Sequence, residues 1–166
     1  MQTVYGSPSD DNARIIGEWF AAQTKRPVHP PFSAIGWVVD QQLCGAAIFN
    51  DYNGSNIELH IFAVDERVTR QMIVDVFDYV FVRANCNRLT AKPYRKNKAV
   101  RKFAERLGFA YEATLKNYYG PTRGDDALVY RMDRATAERW LQSNVPPIQS
   151  RDSSTDRAVA HAVSTS

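Results

Sequence analysis

Along the first 141 residues, short alternating apolar runs take turns with stretches in which apolar residues recur every three or four positions. Successive strand residues face opposite sides, whereas helical neighbours lie three or four apart, so this pattern predicts strands interleaved with helices. The run Ser9, Asp10, Asp11, Asn12 offers N-caps to a helix with Ile15, Ile16, Trp19 and Phe20 on one face. Prolines 27, 30 and 31 then break regular structure. Ala34 to Val39 and Leu43 to Asn50 are strand-like, with Asp40, Gln41 and Gln42 as the turn of an antiparallel hairpin. The DYNGSN segment, 51–56, turns the chain into a strand over Ile57 to Val64. A long helix follows, striped by Val68, Met72, Ile73, Val76, Phe77, Val80 and Phe81.

Beyond that helix, a strand over Arg88 to Lys92 leads to Asn97, a good N-cap because its side-chain oxygen can accept from first-turn amides. Val100, Phe103, Ala104 and Leu107 make one apolar stripe, and Gly108 supplies the left-handed residue that ends a helix. Strands over Ala110 to Leu115 and Ala127 to Met132, then a short helix carrying Trp140, complete a mixed sheet. From about residue 143 to 166 the composition turns to Ser, Thr, Pro and Ala without apolar periodicity, which predicts a mobile polar tail; a short helix around Ala158 to Val163 on binding a partner is a minor alternative.

With 44% hydrophobic residues in 166, including eight Phe and eight Tyr, residues 1–142 can bury one core, so one domain is expected. Twenty-one basic against eighteen acidic residues leave a net charge of +3, which does not demand a nucleic-acid partner. Cys44 and Cys86 stand apart, without redox or metal-ligand spacing, so no metal is expected and a reducing cytoplasm is the natural setting. No apolar run approaches membrane-spanning length, and the first residues lack a signal-peptide pattern. The oligomeric state is left open, a homodimer included. The basic segment from Lys92 to Lys102, with Arg95, Lys96, Lys98, Arg101 and Tyr94, has three readings: a solvated helix face, a contact for a nucleotide phosphate, and, least favoured, RNA binding.

The ordered set Asn97, Val100 and Leu107-Gly108-Phe109, with Glu112 following, resembles the GNAT superfamily of N-acetyltransferases, in particular the branch that acetylates ribosomal-protein N-termini. In that branch a Gly usually follows the acidic residue; Ala113 stands here. The resemblance runs from Val4 to Leu141 and is strongest from Ile57 to Met132. It implies an α/β (α+β) single domain, with a mixed, mainly antiparallel sheet flanked by helices. It also implies direct transfer of an acetyl group from acetyl-coenzyme A to a primary amine, on a protein N-terminus or a small molecule.

The same resemblance places the carrier on the strand end from Phe62 to Val64, with a backbone amide near Phe62 facing the thioester carbonyl, and on the loop carrying Arg67, Thr69 and Arg70. Helix-start amides and the macrodipole attract phosphate there. The family loop has Gly, then Gly or Ala, where Arg70 and Met72 stand, which predicts hindered backbone approach. Asn97 and Arg101 complete the carrier set. Glu58 matches the family position of an acid that draws the proton from the amine, with His60 a second candidate base on the same strand face. The usual tyrosine acid is replaced by Ala104, leaving Tyr118 and Tyr119 as substitutes, although packing against the domain is their simpler role. These departures sustain a rival reading, a non-catalytic binding protein on the same fold.

Overall fold

The structure, a computed structural model, describes residues 1–142. The tail and the helix considered at 158–163 lie outside the described residues. The elements are β1 (Gln2–Gly6), α1 (Asp11–Thr24), β2 (Ser33–Val39), β3 (Gln42–Asn50), β4 (Asn56–Ala63), α2 (Arg70–Phe77), β5 (Arg88–Ala91), α3 (Lys98–Leu107), β6 (Ala110–Leu115), β7 (Ala127–Asp133) and α4 (Arg134–Gln142). They build one seven-stranded sheet in the order β1-β2-β3-β4-β5-β7-β6. Every neighbouring pair is antiparallel except β4 and β5.

Local chemistry explains most boundaries. Asp10 caps α1 by accepting from the Ala13 amide at 2.8 Å. Asp40 and Gln41 both take positive φ, the mirror-image turn whose twist suits a two-residue hairpin between β2 and β3. Asn97 caps α3 through Val100, and Gly108 ends it at φ 105°. Several expectations need correction. β1 was not anticipated, because its five residues show no apolar alternation; Thr3 and Tyr5 nonetheless pair with Trp37 and Ile35 of β2. Ile15 is 49% exposed; the buried face of α1 carries Ala13, Ile16, Gly17 and Phe20. The helix predicted around Val68 starts only at Arg70, with Thr69 as its cap, and continues beyond Phe77 as a π-helical turn over Asp78–Arg83. Val64 has left the strand for a 3-10 turn, Val64–Glu66, in which Asp65 takes positive φ. Lys92 lies just past β5.

Two apolar layers cover the sheet. The larger joins the Leu59, Ile61 and Ala63 face of β4 to α2, the π turn, α3 and α4, through Ile73, Phe77, Phe81, Leu107 and Trp140. The smaller sets Phe62, Ala46, Ile48 and Ala34 under Ile16 and Phe20 of α1. Asp75 of α2, 7% exposed, ties the layers' edge together: it accepts from Thr3 Oγ1, Trp37 Nε1 and Gln71 Nε2, each at 2.8 Å.

Candidate active site

The site arises where the sheet fails to close. The parallel ladder between β4 and β5 covers only Asn56, Ile57 and Glu58 against Arg88, Leu89 and Thr90. Beyond it, Leu59 to Ile61 on one side and Ala91 to Pro93 on the other flank an apolar cleft floored by Ile73, Val100, Phe103 and Ala104. On the opposite face of β4, under α1, a polar pocket of about 210 Å³ is lined by Asn50, Asp51, Glu58, His60, Arg26 and Tyr119 among others. That volume exceeds several water molecules, enough for the head of a small ligand. Glu58 lines the pocket, and His60 lines both pocket and cleft.

Glu58 is 5% exposed, and its Oε2 lies 2.6 Å from Lys92 Nζ, while its Oε1 lies 3.5 Å from His60 Nε2. Burial pushes the Glu58 carboxyl above its ordinary value; Lys92 opposes this by hydrogen bond and charge, and Asp51 adds to it. For Lys92, burial pulls the ammonium down, but the hydrogen bond and charge of Glu58 outweigh it and leave the group raised. Both partners move upward because Glu58 lies deeper than Lys92, with side chains 6% and 19% exposed, and also faces a second carboxylate.

His60 Nε2 lies 3.1 Å from Asn50 Oδ1. Burial, then the positive charges of Lys92 and Arg26, lower its pKa to about 4. At neutral pH the imidazole is therefore uncharged, and its contact with Glu58 is a polar contact rather than an ion pair. With Asn50 presenting an oxygen, Nε2 carries the hydrogen. This placement sets a pH dependence. The unfolded chain takes up a proton on this histidine below about pH 6.5, and the folded chain does so only near pH 4. Stability is thus fully present above pH 6.5 and falls as acid is added, by about 2 kcal/mol between pH 6.5 and 5. Urea unfolding across that range is expected to show this slope, and His60→Gln is expected to flatten it; equal slopes in both proteins would contradict the half-buried, neutral imidazole.

The aromatic wall of the pocket came partly from the expected loop. Tyr119 stacks on Tyr94 with ring centroids 3.9 Å apart, and the Arg26 guanidinium lies over both rings and donates to the Tyr94 hydroxyl. Tyr119 donates its hydroxyl hydrogen to the Lys92 carbonyl at 2.5 Å, and burial raises its phenol well above the ordinary value. Tyr118 is 49% exposed, its ring 5.4 Å from Lys92 Nζ.

The residues expected to hold the carrier are spread along several elements. Thr69 Oγ1 accepts from the Met72 amide at 3.3 Å. The Met72 side chain is 2% exposed and packs in the larger core, so it does not obstruct the loop as its size suggested. Arg67 is exposed beside the helix start, and Arg70 donates to the Trp140 carbonyl at 3.4 Å. Val64 is 40% exposed at the strand end. Arg101 is turned inward, donating to the Arg95 carbonyl at 3.1 Å. The Phe62 carbonyl lies on the β3 side, 3.2 Å from where a Cβ on Gly45 would sit. In an antiparallel pair a residue presents its N–H and C=O to the same neighbour, so the Phe62 amide faces Ala46 of β3. Alternation turns the amides of Leu59, Ile61 and Ala63 toward the cleft instead.

Sequence reasoning does not single out Lys92, Asn50 or Asp51 as site residues. Asn50 was within reach, since the β3–β4 register pairs it with Glu58. Lys92 was hidden in a basic run, half of which is spent on internal pairs such as Arg95 with Asp126 at 3.1 Å and Lys96 with Asp125 at 3.1 Å. Among the described residues there is no group of three or more His, Cys, Asp or Glu able to hold a metal ion, and no helix is long and apolar enough to cross a membrane.

No protein-family model and no curated sequence matches the chain. Solved structures do. Mutant forms of the spermidine/spermine N-acetyltransferase SpeG from Vibrio cholerae superpose with a TM-score of 0.63 at 14% identity, covering 83% of this chain and 98% of that one. A chimera of SpeG with hSSAT gives 0.64 at 14% identity over 84% and 99%. A Desulfovibrio desulfuricans protein assigned to the GNAT acetyltransferases gives 0.59 at 19% identity over 80% and 99%. At these identities the likeness shows the fold: one α/β domain with the mixed sheet found in GNAT acetyltransferases.

Proposed function

We propose that this protein is an N-acetyltransferase that moves an acetyl group from acetyl-coenzyme A directly to a primary amine in a ternary complex. The observation that carries the reading is the position of Glu58, buried in the polar pocket on one face of β4 and paired at 2.6 Å with Lys92, which is among the residues lining the apolar cleft. Transfer from a thioester needs an apolar track for the pantetheine arm, a donor for the carbonyl oxygen and a base beside the amine, and these three lie within one strand's reach. The cosubstrate supplies the activated acetyl group. The first turn of α2, with Arg67, Thr69 and Arg70, is placed to receive the pyrophosphate, and the apolar cleft beside α3, whose start Asn97 caps, fits the pantetheine arm.

A cleft-facing amide of β4, from Ile61 rather than Phe62, polarises the carbonyl and stabilises the charge that develops on its oxygen. Glu58 accepts the proton that the amine sheds, its basicity set by burial and by Asp51. His60, neutral and tied to Asn50, orients the carboxylate without adding charge. The acceptor is a protein N-terminal amine, as in the ribosomal-protein branch, or a small amine, as for the spermidine/spermine acetyltransferase neighbour. Calorimetric titration with acetyl-coenzyme A, followed by amine-dependent thiol release with N-terminal peptides and spermidine as acceptors, tests the reading. Saturable binding below millimolar concentration with stimulated thiol release is expected. No binding at millimolar cosubstrate would overturn it.

A further inference from the structure

The departing thiolate needs a proton, and the residues expected to give it are badly placed. Ala104 occupies the position of the usual tyrosine. The Tyr119 hydroxyl is committed to the Lys92 carbonyl, and Tyr118 lines the polar pocket rather than the cleft. Lys92 itself is placed differently from both. It is among the residues that line the apolar cleft, and its Nζ lies 2.6 Å from Glu58 of the polar pocket. It therefore joins the carrier side to the amine side.

We propose that Lys92 is the catalytic acid that protonates the departing coenzyme A sulfur, and that Glu58 returns the proton to it. The inference rests on the transferase reading above. As the amine nitrogen forms its bond to the carbonyl carbon, Glu58 takes the nitrogen's surplus proton. As the carbon–sulfur bond breaks and its electron pair leaves with sulfur, the Lys92 ammonium gives that sulfur a proton. A neutral carboxylic acid and a neutral amine then face each other, and the proton crosses the short contact from Glu58 to Lys92. Both groups regain their starting charges, and the net change is one amide and one thiol formed from one amine and one thioester.

The pairing makes the two transfers cooperative. While Glu58 is charged it holds the Lys92 proton; once Glu58 is protonated, burial is left as the leading influence on Lys92, and burial favours the neutral amine. Of the other groups around the pair, His60 is already neutral, Asp51 sits on the Glu58 side, and Tyr118 faces Lys92, where its hydrogen bond and charge add to the hold on the proton.

Lys92→Arg separates this role from a structural one, because arginine preserves the charge opposite Glu58 but does not release a proton. Turnover with acetyl-coenzyme A is expected to fall about 100-fold, with calorimetric affinity for the cosubstrate within threefold of wild type. With the acetyl thioester of p-nitrothiophenol, whose thiolate leaves without protonation, wild type and variant are expected to agree within threefold. A defect of equal size with both thioesters, or an affinity loss that accounts for it, overturns the acid role. Nitrogen-15 NMR of lysine side chains, with no cosubstrate present, gives an independent readout: the Lys92 pKa is expected to fall by about one unit in Glu58→Gln. An unchanged value overturns the relay. Absence of transfer from either thioester by wild type, with the Lys92–Glu58 coupling intact in the NMR titration, would instead count against the transferase reading.

Discussion

Glu58→Gln is expected to lower amine acetylation about 1,000-fold while leaving the affinity for acetyl-coenzyme A within a few-fold of wild type. The substitution keeps the size and hydrogen-bonding outline of the side chain and removes its ability to take a proton. It strikes twice, since the amine loses its base and Lys92, whose side chain is only 19% exposed, loses the charge 2.6 Å away that holds its ammonium in place. The comparison of steady-state turnover with calorimetric affinity is what decides. A turnover loss below tenfold would mean that water alone carries the amine proton and that Glu58 serves only to anchor Lys92. Raising the pH is expected to recover part of the lost rate, because a larger share of the amine is then already deprotonated.

Asp75→Ala is expected to cost about 4 kcal/mol of folding stability with no direct effect on the chemistry. The carboxylate accepts from the Trp37 indole, the Thr3 hydroxyl and the Gln71 amide, and thereby fastens β1, β2 and α2 to one another. Trp37 is fully buried, so its N–H would be left without a partner in the core, and a buried orphan donor costs more than the bond is worth. Asp75→Asn is expected to be milder, as its oxygen can still accept from the indole. Chemical denaturation of the two variants measures the difference directly, and a loss below 1 kcal/mol for the alanine would show that water enters to replace the carboxylate.

Much of this architecture was legible because local signals and long-range packing agreed. The stripe of Val100, Ala104 and Leu107, closed by Asn97 and Gly108, gave α3 almost to the residue, and the turn at Asp40 and Gln41 gave the β2–β3 hairpin. β1 was not legible, since an edge strand paired on one side carries little apolar alternation and is fixed by its partner. The π turn at Asp78–Arg83 keeps the apolar residues of a plain helix, so periodicity does not reveal it. Within the site, Glu58 is reached through the family resemblance, and His60 because it shares a strand face with Glu58. Lys92, Asp51 and Arg26 arrive from elements far apart in sequence, and nothing local distinguishes a lysine aimed at a buried carboxylate from one aimed at water. Which amide near Phe62 faces the cleft is not legible for a related reason: a side chain's face follows from alternation, but which edge its backbone serves depends on the register with β3.

The short parallel ladder has a mechanical meaning. Four strands, β1 to β4, form one continuous antiparallel ribbon, and β5, β7 and β6 form another. Within the sheet, the two ribbons share a seam only three residues long, at Asn56–Glu58 and Arg88–Thr90. A ribbon resists shear along its whole length, but a seam this short acts as a pivot. Widening the cleft toward Ala63 therefore asks for rotation about one point, with every antiparallel ladder left whole, and the lever arm of that rotation ends at the mouth of the cleft. Glu58 and Thr90 close the seam, where such a rotation displaces atoms least, whereas Lys92, past β5 on the other ribbon, would swing relative to Glu58.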